Sequence, residues 1–222
     1  FVNTIAAVYK YADILRSTIA HAGNDHRLGA NEAPPAIISV FIGEAMTKLL
    51  DQIAKDRNSD GQEVKRAIDL ISKLPNLELD NTDRNRTSPF AFTGNKFEIR
   101  AVGSSQNCAG PMAAMNAMMG LQLVEFKTEV DKLIAKGVKQ DEAILTVLKS
   151  LIRKSKPVCF EGNNYSDEWK AEAAKRGLNN FATTPEALDV LATKQGLELY
   201  GKSGVMSKVE LDAYHNVQLH SY

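Results

Sequence analysis

The adjacent prolines Pro34 and Pro35 constrain this chain more than any other feature. Neither can donate a backbone hydrogen bond, and each drives the residue before it out of the helical region. Residues 2–20 carry Ile5, Val8, Ala12, Leu15 and Ile19 at helical spacing, and that helix must therefore end upstream of the prolines. Gly29 acts in the same direction, so residues 21–35, which include "NDHRLGANEAPPA", are predicted to be a loop. The chain leaves it through "AIISVFI" (36–42), whose apolar, β-branched character predicts a buried strand; a helix starting after the prolines is the alternative.

Downstream, the stretches 44–56 and 62–74 each put their apolar residues on one helical face around the turn "RNSDG", which predicts a helical hairpin over 44–74. "NLELD" (76–80), "FAF" (90–92) and "KFEIRAV" (96–102) alternate with period two and read as short strands with one wet face. A long helix is expected from Pro111 to about Lys136, and another over 140–155. Further helices are expected behind Ser166, Thr184–Pro185 and the Ser207/Glu210 capping box. With strands first and helices after, the order implies an α+β fold: 1–110 carries the strands and loops, and 111–222 is helical.

Lys+Arg and Asp+Glu are equal at 27 each, so no overall field favours nucleic acid or an anionic membrane surface. The apolar runs are too short to span a bilayer. Cys108 and Cys159 lack metal-ligand spacing and read as small buried hydrophobes in a reducing cytoplasm. Met112, Met115, Met118 and Met119 read as core filler. The chain opens without Met and is helical from its first turn, which suggests a piece of a longer protein.

Two stretches offer chemistry. In residues 83–107, Arg84, Arg86, Lys96 and Arg100 surround Glu98. Strand alternation puts Lys96, Glu98 and Arg100 on one face and leaves Phe97, Ile99 and Ala101 for the core. That face reads either as a solvated charge ladder or as a wall of donors for phosphate or carboxylate, with Glu98 available to a divalent metal. In the loop, Arg27 and Glu32 read either as a surface ion pair or as separate ligand contacts, and the spacing of His21 and His26 does not suit a two-histidine metal site.

"HRLGANEAPPA" resembles the glutamate-binding flap of glutamine synthetases, in which Arg-Leu precedes Glu-Ala-Pro. "RNRT", "KFEIR" and "SSQN" resemble that family's later Arg-Asn-Arg-Ser, Arg-x-Glu-x-Arg and Ala-Asn-Pro elements, in the same order. The wording is similar to that of the large type III enzymes, and the tail "EALDVLATKQGLELYGKSGVMSKVELDAY" resembles their C-terminal helical part. Three departures stand out: Ala91 where shorter family members have an arginine, Asn31 where an aromatic is usual, and Cys108–Ala109 in place of Pro-Tyr.

The resemblance implies a catalytic-domain fragment with curved antiparallel strands, helices packed outside and the 44–74 hairpin as an insertion. It also implies ATP-dependent ligation of ammonia to glutamate through γ-glutamyl phosphate, with Mg²⁺ or Mn²⁺, in a cytoplasmic ring-type homo-oligomer. Arg27 would hold the α-carboxylate of glutamate, and Glu32 would shield the intermediate and take a proton from ammonium. Arg86 would contact the transferring phosphate, Lys96 would lie near the nucleotide, Glu98 would bind a metal ion and Arg100 would face substrate and phosphoryl oxygens. The family's other metal ligands and its ammonium-site aspartate lie upstream of anything present, so the chain by itself is expected to be inactive. The alternatives are a γ-glutamyl ligase acting on another amine and a non-catalytic structural member of the family.

Overall fold

A computed structural model describes residues 1–30, 32–55, 88–103 and 105–222, and the elements below are numbered over those residues. Helix α1 (Val2–Ser17) is the centre of the packing. Its Ile5, Val8, Ile14 and Leu15 recur at helical spacing and are at most 2% exposed. Helix α4 (Ala109–Ala135) lies against it through Ala114, Ala117 and Met118. The two alanines let the helix axes approach closely. Helices α5 (Gln140–Ser155), α6 (Asp167–Lys175), α7 (Thr184–Asp189), α8 (Lys194–Ser203) and α9 (Lys208–His220) complete the helical part. Ile152, Trp169, Leu188, Leu199 and Leu211 bring them into the same core. Of the clustered methionines, Met118 is fully buried, whereas Met112 is 58% exposed and is not core filler.

The helix starts follow from capping side chains. Ser166 Oγ accepts from Trp169 N at 3.1 Å, which fixes the first turn of α6. At α9, Glu210 N donates to Ser207 Oγ at 3.3 Å and Ser207 N donates to Glu210 Oε2 at 2.8 Å. The box that opens α7 is formed by Thr183 and Glu186, one residue ahead of the expected Thr184.

A small sheet sits beside the helices in the order β1 (Val40–Phe41), β2 (Phe90–Phe92), β3 (Phe97–Ile99). β2 and β3 form an antiparallel hairpin with Ala91 opposite Glu98, but β1 pairs parallel to β2, with Val40 opposite Phe90. The sheet is therefore mixed, and the expectation of antiparallel strands holds for the hairpin alone. The run 36–42 is not helical, and Ala36, Ile37, Ile38, Val40 and Ile42 are buried, yet two residues enter the ladder. Hydrophobic patterning reports burial, whereas strand pairing depends on where β2 happens to lie. Phe97 and Ile99 pack partly buried against the core, as expected, but Ala101 is exposed because β3 has ended before it.

Helix α3 (Glu44–Lys55) supplies the first arm of the expected hairpin. Its second arm, 62–74, and the strand expected at 76–80 lie outside the described residues. Glu161 fixes the start of α3 by accepting from Gly43 N at 3.0 Å and from Thr47 Oγ1 at 3.0 Å. A carboxylate there also suits the positive end of the helix dipole.

Candidate active site

The loop after α1 is held in shape by its own backbone. Gly29 N donates to Ala33 O at 2.9 Å and to Pro34 O at 3.2 Å, and Leu28 and Ala33 form a bridge. Gly29 has φ +79°, a conformation that residues with a Cβ rarely adopt. The turn places Arg27 and Glu32 beside each other at the rim of a cavity of about 420 Å³.

Two residues of the short helix α2 (Ala22–Asp25) anchor that loop from behind. Asn24, 1% exposed, donates through Nδ2 to Ile19 O at 2.7 Å and to Val102 O at 3.2 Å, tying the loop to the segment after β3. Asp25 accepts from Thr184 N at 2.9 Å and Thr184 Oγ1 at 2.8 Å, so it joins the loop to the start of α7. Both belong to the "NDH" stretch, but their importance lies in distant backbone partners that the sequence does not reveal.

The cavity is lined by Arg16, Arg27, Glu32, Arg100 and Tyr165 among its polar side chains. Two residues expected from the loop thus meet one expected from the strand, Arg100. Arg27 Nη2 donates to Glu32 Oε1 at 2.7 Å, so in this state the two form an ion pair with side chains 36% and 56% exposed. The hydrogen bond from Arg27 holds the Glu32 carboxyl below the usual glutamate range. So exposed a pair adds little to stability. Its consequence is positional: the carboxylate stays charged and at the cavity rim.

Glu98 lies one step away on β3. Lys96 Nζ stands 3.2 Å from Glu98 Oε1, and Arg100 Nη2 stands 3.4 Å from Glu98 Oε2. This is the three-residue face that alternation predicts. Lys96, and to a lesser degree Arg100, hold the Glu98 carboxyl below the ordinary range. Carbon-detected NMR should accordingly show Glu98 titrating below the unperturbed glutamate value of about 4.3, with the midpoint rising in Lys96→Met. A depressed folded-state pKa stabilises the ladder above the unfolded value, and this contribution is lost as pH falls through the folded one. A midpoint at or above the unperturbed value would contradict the geometry.

Arg84 and Arg86 lie outside the described residues. Among the described residues, no group of three or more His, Cys, Asp or Glu side chains converges in a way that suits a metal ion. A hard cation wants six or more oxygen ligands, and Glu98 is one. The residues described here do not by themselves fit Mg²⁺ or Mn²⁺. No helix of the described residues is long and apolar enough to cross a membrane. Cys159 is largely buried, and burial pushes its thiol up to about 12; Cys108 is exposed, against expectation, because it sits at the solvent-facing start of α4.

Sequence reading missed Arg16 and Tyr165. Tyr165 Oη donates to Glu32 O at 3.5 Å from a turn more than a hundred residues away. Arg16 did leave a signal: a permanent charge next to Leu15 on a helix whose inward face is otherwise apolar.

The α+β fold thus brings a glycine-turned loop with a carboxylate and an arginine that follows β3 to one cavity. The model of the glutamine synthetase C-terminal domain matches residues 143–222. Along its whole length the chain is similar to part of glutamine synthetases. It is 49% identical, over its whole length, to a glutamine synthetase of Bacteroides fragilis. It is 40% identical over 98% of its length to the type-3 glutamine synthetase of Dictyostelium discoideum. A glutamine synthetase of Butyrivibrio fibrisolvens is 39% identical over 99% of the chain. The chain spans about 31% of the length of these curated relatives.

Proposed function

We propose that this chain forms the flap-and-strand side of a glutamine synthetase active site and acts as part of a longer protein. The reaction joins ammonia to glutamate. A γ-carboxylate oxygen of glutamate attacks the terminal phosphorus of ATP and ADP leaves; ammonia then attacks the acyl carbon, phosphate departs and the surplus proton passes to a base. The observation that supports this reading is the meeting of Arg27, Glu32 and Arg100 at one cavity.

Each residue suits its step. Arg27 is permanently charged and forks toward carboxylates, which fits the α-carboxylate of glutamate. Glu32, kept ionised, attracts ammonium and accepts its proton, and a loop that closes over the acyl phosphate keeps water away. Arg100 and Arg86 supply positive charge for phosphoryl oxygens, and Lys96 serves the nucleotide side. Glu98 contributes one oxygen ligand to a divalent ion whose other ligands come from elsewhere in the longer protein. The chain alone is inactive for that reason. The functional assembly is a homo-oligomer in the cytoplasm. A ligase for another amine is the second reading; the intact "NEAPP" of the flap favours ammonia.

Arg27→Gln tests the assignment most simply. In the full-length protein it should raise KM for glutamate at least tenfold and leave KM for ammonium within threefold, as steady-state kinetics would show. An unchanged KM for glutamate would place the α-carboxylate elsewhere.

A further inference from the structure

Arg16 is 1% exposed, and it reaches the flap cavity from α1. Its Nε donates to Phe181 O at 3.1 Å, but among the described residues neither Nη1 nor Nη2 has a hydrogen-bond partner. Unsatisfied donors on a buried cation are costly, and such groups are normally paired or bound to a ligand. Asp25 and Glu186 act on its charge from a distance, yet neither accepts a bond from it. Asp25 is already committed to Thr184.

Arg16 also borders a smaller cavity of about 270 Å³, shared with Lys10 and Asp13. The flap cavity is the more electropositive of the two, since Arg16, Arg27 and Arg100 line it with Glu32 as the one carboxylate among the lining residues. We infer that Arg16 is a third anion-binding arginine of this cavity, its two free Nη groups donating to a carboxylate or phosphoryl oxygen of the bound reactants. This rests on the reading of the cavity as the reactant site. It adds a contact from α1, an element separate from the loop that carries Arg27.

The test uses the full-length protein, with L-glutamate and inorganic phosphate as separate probes in calorimetric titration. Arg16→Gln should weaken one of them at least tenfold. Arg16→Lys, which keeps the charge beside Asp25 and Glu186 but loses the planar fork, should weaken the same one at least threefold. Glutamate is the affected probe if the partner is a carboxylate, and phosphate if it is a phosphoryl group. If Arg16→Lys binds both anions as wild type does, the proposal is overturned. Arg27→Gln separates the two failures: glutamate weakened there but unchanged in Arg16→Lys removes Arg16 alone, and no effect in either removes the reading of the cavity as well. Should Arg16→Gln not fold, a wild-type crystal soaked with both anions decides. An anion oxygen within hydrogen-bond distance of either Nη supports the assignment, and water alone on both contradicts it.

Discussion

Glu32→Ala in the full-length protein should reduce kcat for ammonia-dependent glutamine formation at least a hundredfold, a loss of about 2.7 kcal/mol of transition-state stabilisation. The same change should leave KM for glutamate unchanged or lower. The second expectation comes from the ion pair: Arg27 and Glu32 stand 2.7 Å apart, so in the proposed roles each must release the other before meeting its own ligand. Removing Glu32 frees Arg27 for the α-carboxylate while taking away the base. Because the Glu32 side chain is exposed and, among the described residues, pairs with Arg27 only, the melting temperature should move little. A variant with kcat within a few-fold of wild type would exclude Glu32 as the proton acceptor. One with a much raised KM would mean that the pair itself binds glutamate.

The second large effect is on stability. Trp169 is 2% exposed and stacks on Phe160 with ring centroids 3.7 Å apart, and the Arg176 guanidinium lies 5.5 Å from the Trp169 ring and 5.9 Å from the Phe160 ring. Arg176 Nη1 donates to Cys159 O at 2.8 Å, and Phe160 N donates to Val40 O at 3.0 Å. Trp169 therefore holds the 159–160 segment against β1 as well as filling the core. Trp169→Ala should cost about 3–5 kcal/mol, read as a lowered urea midpoint, whereas Trp169→Phe should cost less because it keeps the stack. A loss below about 1 kcal/mol would show that the cluster repacks freely.

The helices were the most readable part of the sequence, for physical reasons that individual residues make plain. The spacing of Ile144, Leu145, Leu148, Leu151 and Ile152 brackets α5, and Ser166 and the Ser207/Glu210 pair mark helix starts, because each signal acts within a turn or two of itself. The Lys96–Glu98–Arg100 face was readable because alternation along a strand is equally local. Non-local arrangement was not. That β1 runs parallel to β2 depends on the path of the chain between them, and that Asn24 bonds Val102 and Asp25 bonds Thr184 depends on the completed fold. The loop residues Arg27 and Glu32 were candidates from local sequence, but the cavity they share with Arg16, Arg100 and Tyr165 draws on four separate segments. The family resemblance supplied the roles that local patterns could not.

The most direct test of the account is to give the purified full-length protein glutamate, ATP, Mg²⁺ or Mn²⁺ and either ammonium or a diamine, and to identify the products. The account predicts glutamine and ADP with ammonium, no product when ATP or the metal is left out, and little γ-glutamyl-amine from the diamine. Failure to form glutamine, or faster ligation of the diamine than of ammonium, would contradict it.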